Sequence, residues 1–530
     1  MKTQTLTTGV VVLIAGGLIA KLLGAVYRIP LTWVLGTEGL GIYQLVYPVF
    51  SLLLVLSSTG APTAISTMIA ERVGKKQYDS INKIFKLSLT SLLILGIVAG
   101  AGLSLFSFLI ASLQGNPDAK WCYVCISLAI PLVSVLSAYR GYFQGLLNMV
   151  PTAISQIVEQ AGKLIFGLLL AVLFSPVGVQ FATLGAIVGV VLSEAFAVLF
   201  MLVYANTHKN LLPKATNSAQ NNVAEPTKAL LAELLHNATP ILLCSFVLPL
   251  LQVMDSLLVV KLLGFAGIDN VLATKMWGIN SGVVNSLINL PVALTLCVAV
   301  SIAPNIRNGL VNKQQSLHKI TLAHKMSVNI ALPCMVAMLL LSGLIVPFLY
   351  QHTFTSSVLN EMDLAINLLI FNAPYILIVA LMQVQNATLQ GMKLSRVPLF
   401  SMLIAGVVKI VVMLLLTPTF TFNIYGVALA NVLFYVVAFV LNDVYLHLKL
   451  GWKMEYRQIL PCVLASSVMA LYLWVGTMAF KNLSVYVQLP LLVLVGASVY
   501  FATLWVSGGA PFFSTFVQKF KNRVYKRKRS

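Results

Sequence analysis

Leu22 to Ser66 reads LLGAVYRIPLTWVLGTEGLGIYQLVYPVFSLLLVLSSTGAPTAIS, and this stretch decides the fold class. It holds most of two long apolar windows, 9–35 and 41–70, with Gly36-Thr-Glu-Gly39 between them. A hydrocarbon core about 30 Å thick takes about 20 mostly apolar residues per spanning helix, so each window is long enough to cross a membrane. Two features are out of place in hydrocarbon. Arg28 lies inside the first window, with Lys21 just ahead of the quoted stretch, and Gly60-Ala-Pro62 interrupts the second.

The same pattern fills the rest of the chain. Of its 530 residues 59% are hydrophobic and 9% charged, against about 25% charged in an ordinary globular domain, and the mean hydropathy is +0.93. Windows at 87–113, 121–144, 152–174, 181–204, 236–262, 271–304, 326–350, 364–388, 397–417, 424–446, 458–479 and 486–507 bring the total to about fourteen. The expected fold is therefore an all-α polytopic membrane protein. The first window is too long for a secretory signal and has no basic start beyond Lys2, so it is expected to stay as a mature helix.

Connections after even-numbered spans, with the two ends and with Arg140 near the close of the fourth span, hold 26 of the 34 Lys and Arg, whereas those after odd-numbered spans hold Lys120 and Lys481. Positively charged connections stay on the cytoplasmic side, so a multi-pass plasma-membrane protein with both termini cytoplasmic is expected. The formal net charge of +20 does not point to nucleic acid. Its densest cluster, Lys519 to Arg529, follows the last span, where anionic membrane lipids attract basic segments. Cys122 and Cys125 form a CxxC without a second pair at metal spacing. Neither a metal site nor a cofactor nor a disulfide framework is expected.

An internal repeat organises the chain. Gln144-Gly145 precedes Pro151 and Lys163, and Gln390-Gly391 precedes Pro398 and Lys409, with Lys eighteen positions after Gly in both. AISTMIAER, ending at Arg72, lies over AVSIAPNIR, ending at Arg307. Such duplication is the usual construction of secondary transporters. Residues 1–204 are read as an N-lobe of spans 1–6, 205–235 as a cytoplasmic linker, 236–446 as a C-lobe of spans 7–12, 447–507 as spans 13 and 14, and 508–530 as a basic tail.

Charges within spans are the candidate site residues, because each costs about 2.5–3.5 kcal/mol at a helix centre and normally faces a cavity or a partner. Lys21 and Arg28 are seven apart, about 20° from alignment on one face, and form a cationic stripe unless Lys21 reaches the interface. Glu159 and Lys163 are spaced to pair within one helix. Lys409 repeats the Lys163 position without a local acid, which points to a cationic cavity wall between the lobes. Asp255 either pairs with a cation of the first lobe or binds a coupling ion, Na+ or H+, and Glu194 has no local cation. Lys261 and Lys275 lie towards the outer span ends. Six basic residues against three acids imply an anionic substrate. Gly24, Gly60, Pro62 and Pro291 are expected hinges.

The order Gly24, Tyr27-Arg28, Gly36-Thr-Glu-Gly39, Tyr43-Gln44, Tyr47-Pro48, Gly60 and Pro62 to Ser66 resembles the amino-terminal signature of the stage V sporulation protein B-like polysaccharide exporters. That branch sits with the MurJ-type lipid II flippases in the multidrug/oligosaccharidyl-lipid/polysaccharide exporter superfamily. The resemblance implies two lobes, a central cationic cavity and a groove towards spans 13 and 14 for a polyprenyl tail. It also makes Lys21 and Arg28 look like the first-span cations of the lipid II flippases. The function expected is that of a flippase for a polyprenyl-diphosphate-linked oligosaccharide, a transporter and not an enzyme. A cation-coupled multidrug extruder would want an acid-dominated cavity, and a membrane glycan polymerase or ligase a substantial outer loop.

Overall fold

Inside a bilayer every backbone N–H and C=O must be satisfied within the chain, and a helix does this within one segment. The computed structural model describes residues 6–58, 60–75, 77–208, 226–307, 313–354, 360–392, 394–453 and 456–509, and among them there is no strand. Residues 209–225 of the expected linker and 510–530 of the expected tail lie outside the described residues.

Among the described residues twelve helices are long and apolar enough to cross a membrane, and the pair Glu361–Asn372 and Tyr375–Gly391, bent by 43°, adds a thirteenth if it is one span. One of the twelve, Ala15–Val55, contains Gly36 at φ 64° and ψ −172°, a conformation that glycine alone holds without strain. Gly36 divides this helix into two arms, which correspond to the windows 9–35 and 41–70 of the sequence.

Packing divides the chain into two units. The first comprises Met1–Leu287, His352–Glu361 and Met402–Asn431. It contains α1 (Leu6–Ser58), α2 (Ala61–Gly74), α3 (Tyr78–Leu105), α4 (Ser107–Leu113), α5 (Lys120–Ser127), α6 (Ala129–Gly145), α7 (Val150–Gly162), α8 (Leu168–Phe174), α9 (Val179–Thr207), α10 (Thr227–Phe265) and α11 (Asn270–Trp277). α1 packs against α7, α9, α10 and α11. Its second arm approaches the following spans so closely that a Cβ at Gly41 would fall on the Thr274 carbonyl, and one at Gly278 on that of Thr37. Small residues permit this backbone contact between helices in lipid. Tyr27, Leu31, Leu35, Tyr43, Phe50 and Tyr123 form the core around α1.

The seventh span, α10, packs with α1 and α2, and the first stretch of the first unit runs on to Leu287. The reason is local. Arg72 of α2 is buried and makes a two-pronged ion pair with Glu233 of α10, both N–O distances being 2.6 Å. This fork fixes direction as well as distance.

The second unit comprises Ile288–Gln351, Met362–Ser401 and Val432–Ser530. It draws on α12 (Asn285–Arg307), α13 (Lys313–Tyr350), α14 (Glu361–Asn372), α15 (Tyr375–Gly391), α16 (Arg396–Leu416), α17 (Ile424–Leu450), α18 (Tyr456–Ala479) and α19 (Val485–Val506). α18 and α19 pack on each other and on α13 through Cys462, Met469, Leu473, Leu492 and Tyr500. Neutral amides hold α15 to α17, where Asn442 donates to Asn386 at 2.8 Å and Gln385 to Asp443 at 3.1 Å.

Candidate substrate-binding site

The intramembrane charges of the first unit are of two kinds, compensated and uncompensated. Arg28 is uncompensated. It is half-buried two residues before Pro30, and its Nη1 donates to the Ser286 hydroxyl at 3.3 Å. Among the described residues no carboxylate comes within ion-pair distance of it. A guanidinium has five N–H donors in a planar fork, so most of its donor capacity is left for a ligand. Lys21 lies two turns earlier on the same helix and is exposed. Buried Tyr27 is adjacent to Arg28, and Tyr43 stacks on Tyr47 further along α1 with ring centroids 5.6 Å apart.

Lys163 is compensated twice. Its ammonium is 2.8 Å from Glu159 Oε1 and 3.0 Å from Glu194 Oε1, and Arg140 Nη2 is 3.0 Å from Glu159 Oε2. The network Arg140–Glu159–Lys163–Glu194 joins α6, α7 and α9 with two cations and two carboxylates. Arg140 is oriented by Ser155, which accepts from its Nε at 2.9 Å. Glu194 is 1% exposed, and its second oxygen, Oε2, has no protein partner among the described residues. A buried polar atom left alone is costly, so this oxygen suits a proton or a small cation.

Lys409 is compensated by Asp255 of the seventh span at 2.6 Å, with both side chains buried. Asp255 therefore faces Lys409 and not Arg28. Lys261 is exposed near the end of α10, and Lys275 is 4.0 Å from Glu38. Beside that contact the buried Thr37 hydroxyl donates to Glu361 at 2.9 Å.

The expected hinges fall in different settings. Gly60 separates α1 from α2, and Pro62 stands in the first turn of α2. Gly24 lies within an uninterrupted stretch of α1, close against Gln160. α12 runs through Pro291 without a break, so the eighth span is not broken where the sequence suggested. Its irregularity lies upstream, in π-helical turns at Gly278–Val284, and a second π segment, Lys163–Gly167, begins at the network lysine. π turns insert an extra residue into the helical ladder and recur at functional sites.

Sequence reasoning missed Arg140, counted as a connection charge because it stands near a span end. The signal was present, since the apolar window 121–144 already encloses Arg140, and α6 continues beyond it to Gly145. Also missed was the buried cluster in which Gln114 donates to the Leu45 carbonyl and accepts from Tyr123.

An all-helical polytopic chain with charges distributed in this way has the build of a membrane transporter of the multidrug/oligosaccharidyl-lipid/polysaccharide exporter type. The chain belongs to the polysaccharide biosynthesis protein family, whose model matches residues 6–306. Stage V sporulation protein B of Bacillus subtilis (strain 168) is 27% identical over 445 residues, 82% of each chain. Lipid II flippase MurJ of the same organism is 26% identical over 522 residues, 94% of each chain. A solved structure of lipid II flippase MurJ in an inward closed conformation matches with a TM-score of 0.70 at 14% identity, covering 96% of this chain and 100% of that one, which is a likeness of fold.

Proposed function

We propose that the chain is a flippase that moves a polyprenyl-diphosphate-linked oligosaccharide, a lipid II-like precursor of cell wall or surface polysaccharide, to the outer leaflet of the plasma membrane by alternating access. The observation that carries this reading is Arg28, a half-buried guanidinium inside a span with one hydroxyl contact and no carboxylate partner among the described residues. A diphosphate supplies paired anionic oxygens that such a planar fork recognises. Lys21 extends the same face. Lys163 and Lys409, candidate substrate ligands from the sequence, are here assigned to tying the helices around the path together through their carboxylates. Glu194 is the proposed seat of coupling, with H+ or Na+ at its open oxygen.

A multidrug extruder for organic cations would need carboxylates free to receive them. In the first unit Glu159, Glu194 and Asp255 each meet an internal cation. Both termini are assigned to the cytoplasm on the bias of the connections. With the cytoplasm negative, outward movement of an anion gains about 2.3 kcal/mol per charge per 100 mV.

The test is reconstitution with a fluorescent polyprenyl-diphosphate oligosaccharide in vesicles of uniform protein orientation. Leaflet transfer is expected, faster when the cytoplasmic face is negative, and organic cations are expected not to compete. Extrusion of organic cations without lipid transfer would establish the extruder instead.

A further inference from the structure

A cavity of about 580 Å³ in the first unit has no part in the transport reading. It opens between α3, α6 and α9, and its polar lining is Asn82, Lys86, Tyr139, Tyr142 and Asn206. Its volume falls within the roughly 300–1,000 Å³ range of small-molecule sites. The span carried by α3 begins at Ser80, and those ending in α6 and α9 finish at Gly145 and Thr207. The cavity is thus within about two turns of one membrane surface, which the charge bias makes the cytoplasmic one.

Three observations define its ligand. No lining residue is acidic, and Lys86 contributes an exposed ammonium that can only donate. The Lys86 ammonium, the two tyrosine hydroxyls and the two asparagine amides have no protein partner among the described residues. The wall beneath them is aromatic, with Phe85 packed on Tyr139 at 5.0 Å and on Tyr142 at 4.6 Å between ring centroids. On the α9 side Leu202 and Val203 are exposed and apolar. Donors above, aromatic rings beneath and aliphatic surface alongside match a molecule with an anionic head and a hydrocarbon body, at the depth where both are present.

We propose that this cavity binds the headgroup of an anionic glycerophospholipid, its phosphate on Lys86 and the flanking amides, its acyl chains along Leu202 and Val203. The lipid is a resident of the first unit and not the transported substrate. Because α6 and α9 also carry Arg140 and Glu194, its occupancy steadies the helices that bear the buried charge network.

The test uses the purified full-length chain and native mass spectrometry against phosphatidylglycerol and phosphatidylcholine of identical acyl chains, with glycerol 1-phosphate as the soluble competitor. Wild type is expected to retain phosphatidylglycerol about five-fold better, the contribution of one interfacial cation. Lys86→Ala should erase that preference, Lys86→Arg should keep it, and Lys261→Ala, an exposed change elsewhere in the unit, should leave it intact. Equal retention of the two lipids, or an unchanged preference in a folded Lys86→Ala protein, overturns the proposal. Displacement of phosphatidylglycerol by equimolar glycerol 1-phosphate also overturns it, in favour of a site for soluble phosphate esters.

Discussion

Arg28→Ala is expected to lower leaflet transfer of the lipid-linked substrate by about a hundred-fold or more, the cost of truncating one partner of a buried charge-assisted contact. Arg28→Lys keeps the charge and loses the planar fork, so it should retain about a tenth of wild-type transfer. Membrane abundance of both variants should stay near wild type. Arg28 donates to Ser286, a neutral hydroxyl, and removing it strands no carboxylate among the described residues. A structural role would behave differently. Had Arg28 been the counter-ion of Asp255, its loss would have left a buried anion, but that anion is held by Lys409 at 2.6 Å. Quantitative immunoblotting beside the transfer assay separates the two accounts. Loss of abundance in step with loss of transfer would favour the structural one.

Lys409→Met should produce a large loss of stability. It leaves Asp255 buried and negative without its cation, and breaking such a pair from one side costs about 3–5 kcal/mol. Thermal unfolding in detergent and abundance in membranes should both fall. Adding Asp255→Leu removes the stranded charge as well, and replacing a buried pair by apolar groups is often neutral or stabilising. The double variant should therefore recover wild-type stability and most of its transfer. Recovery of stability with transfer still absent would return Lys409 to the substrate path, where the sequence placed it.

The layout of the spans was legible because hydrocarbon imposes a single requirement, long apolar helices, that composition alone can report. Gly36-Thr-Glu-Gly39 separates the first two apolar windows, and Gly36 holds the backbone angle at the kink in α1. The repeat of Lys163 by Lys409 was equally visible. What each lysine touches was not, since Asp255 is 154 positions from Lys409 and meets it only through tertiary packing. Glu159 lies one turn from Lys163, so that half of the network could be read from spacing, whereas Glu194 joins it from another helix. Arg72 shows the same limit. It counted as a topogenic charge in sequence, and in the fold it is a buried anchor for α10. The excess of six bases over three acids pointed to an anion, and the pairs made by Lys163 and Lys409 take up all three of those acids.

The central claim is that Arg28 grips a diphosphate. Its most direct test is binding of polyprenyl diphosphate, polyprenyl monophosphate and neutral polyprenol to the purified protein in nanodiscs of zwitterionic lipid, so that no anionic bilayer lipid competes. Wild type should bind the diphosphate about ten-fold more tightly than the monophosphate, and Arg28→Ala should bind all three alike, the lost donors being those that distinguish them. Undiminished preference for the diphosphate in the Arg28→Ala protein would contradict the account.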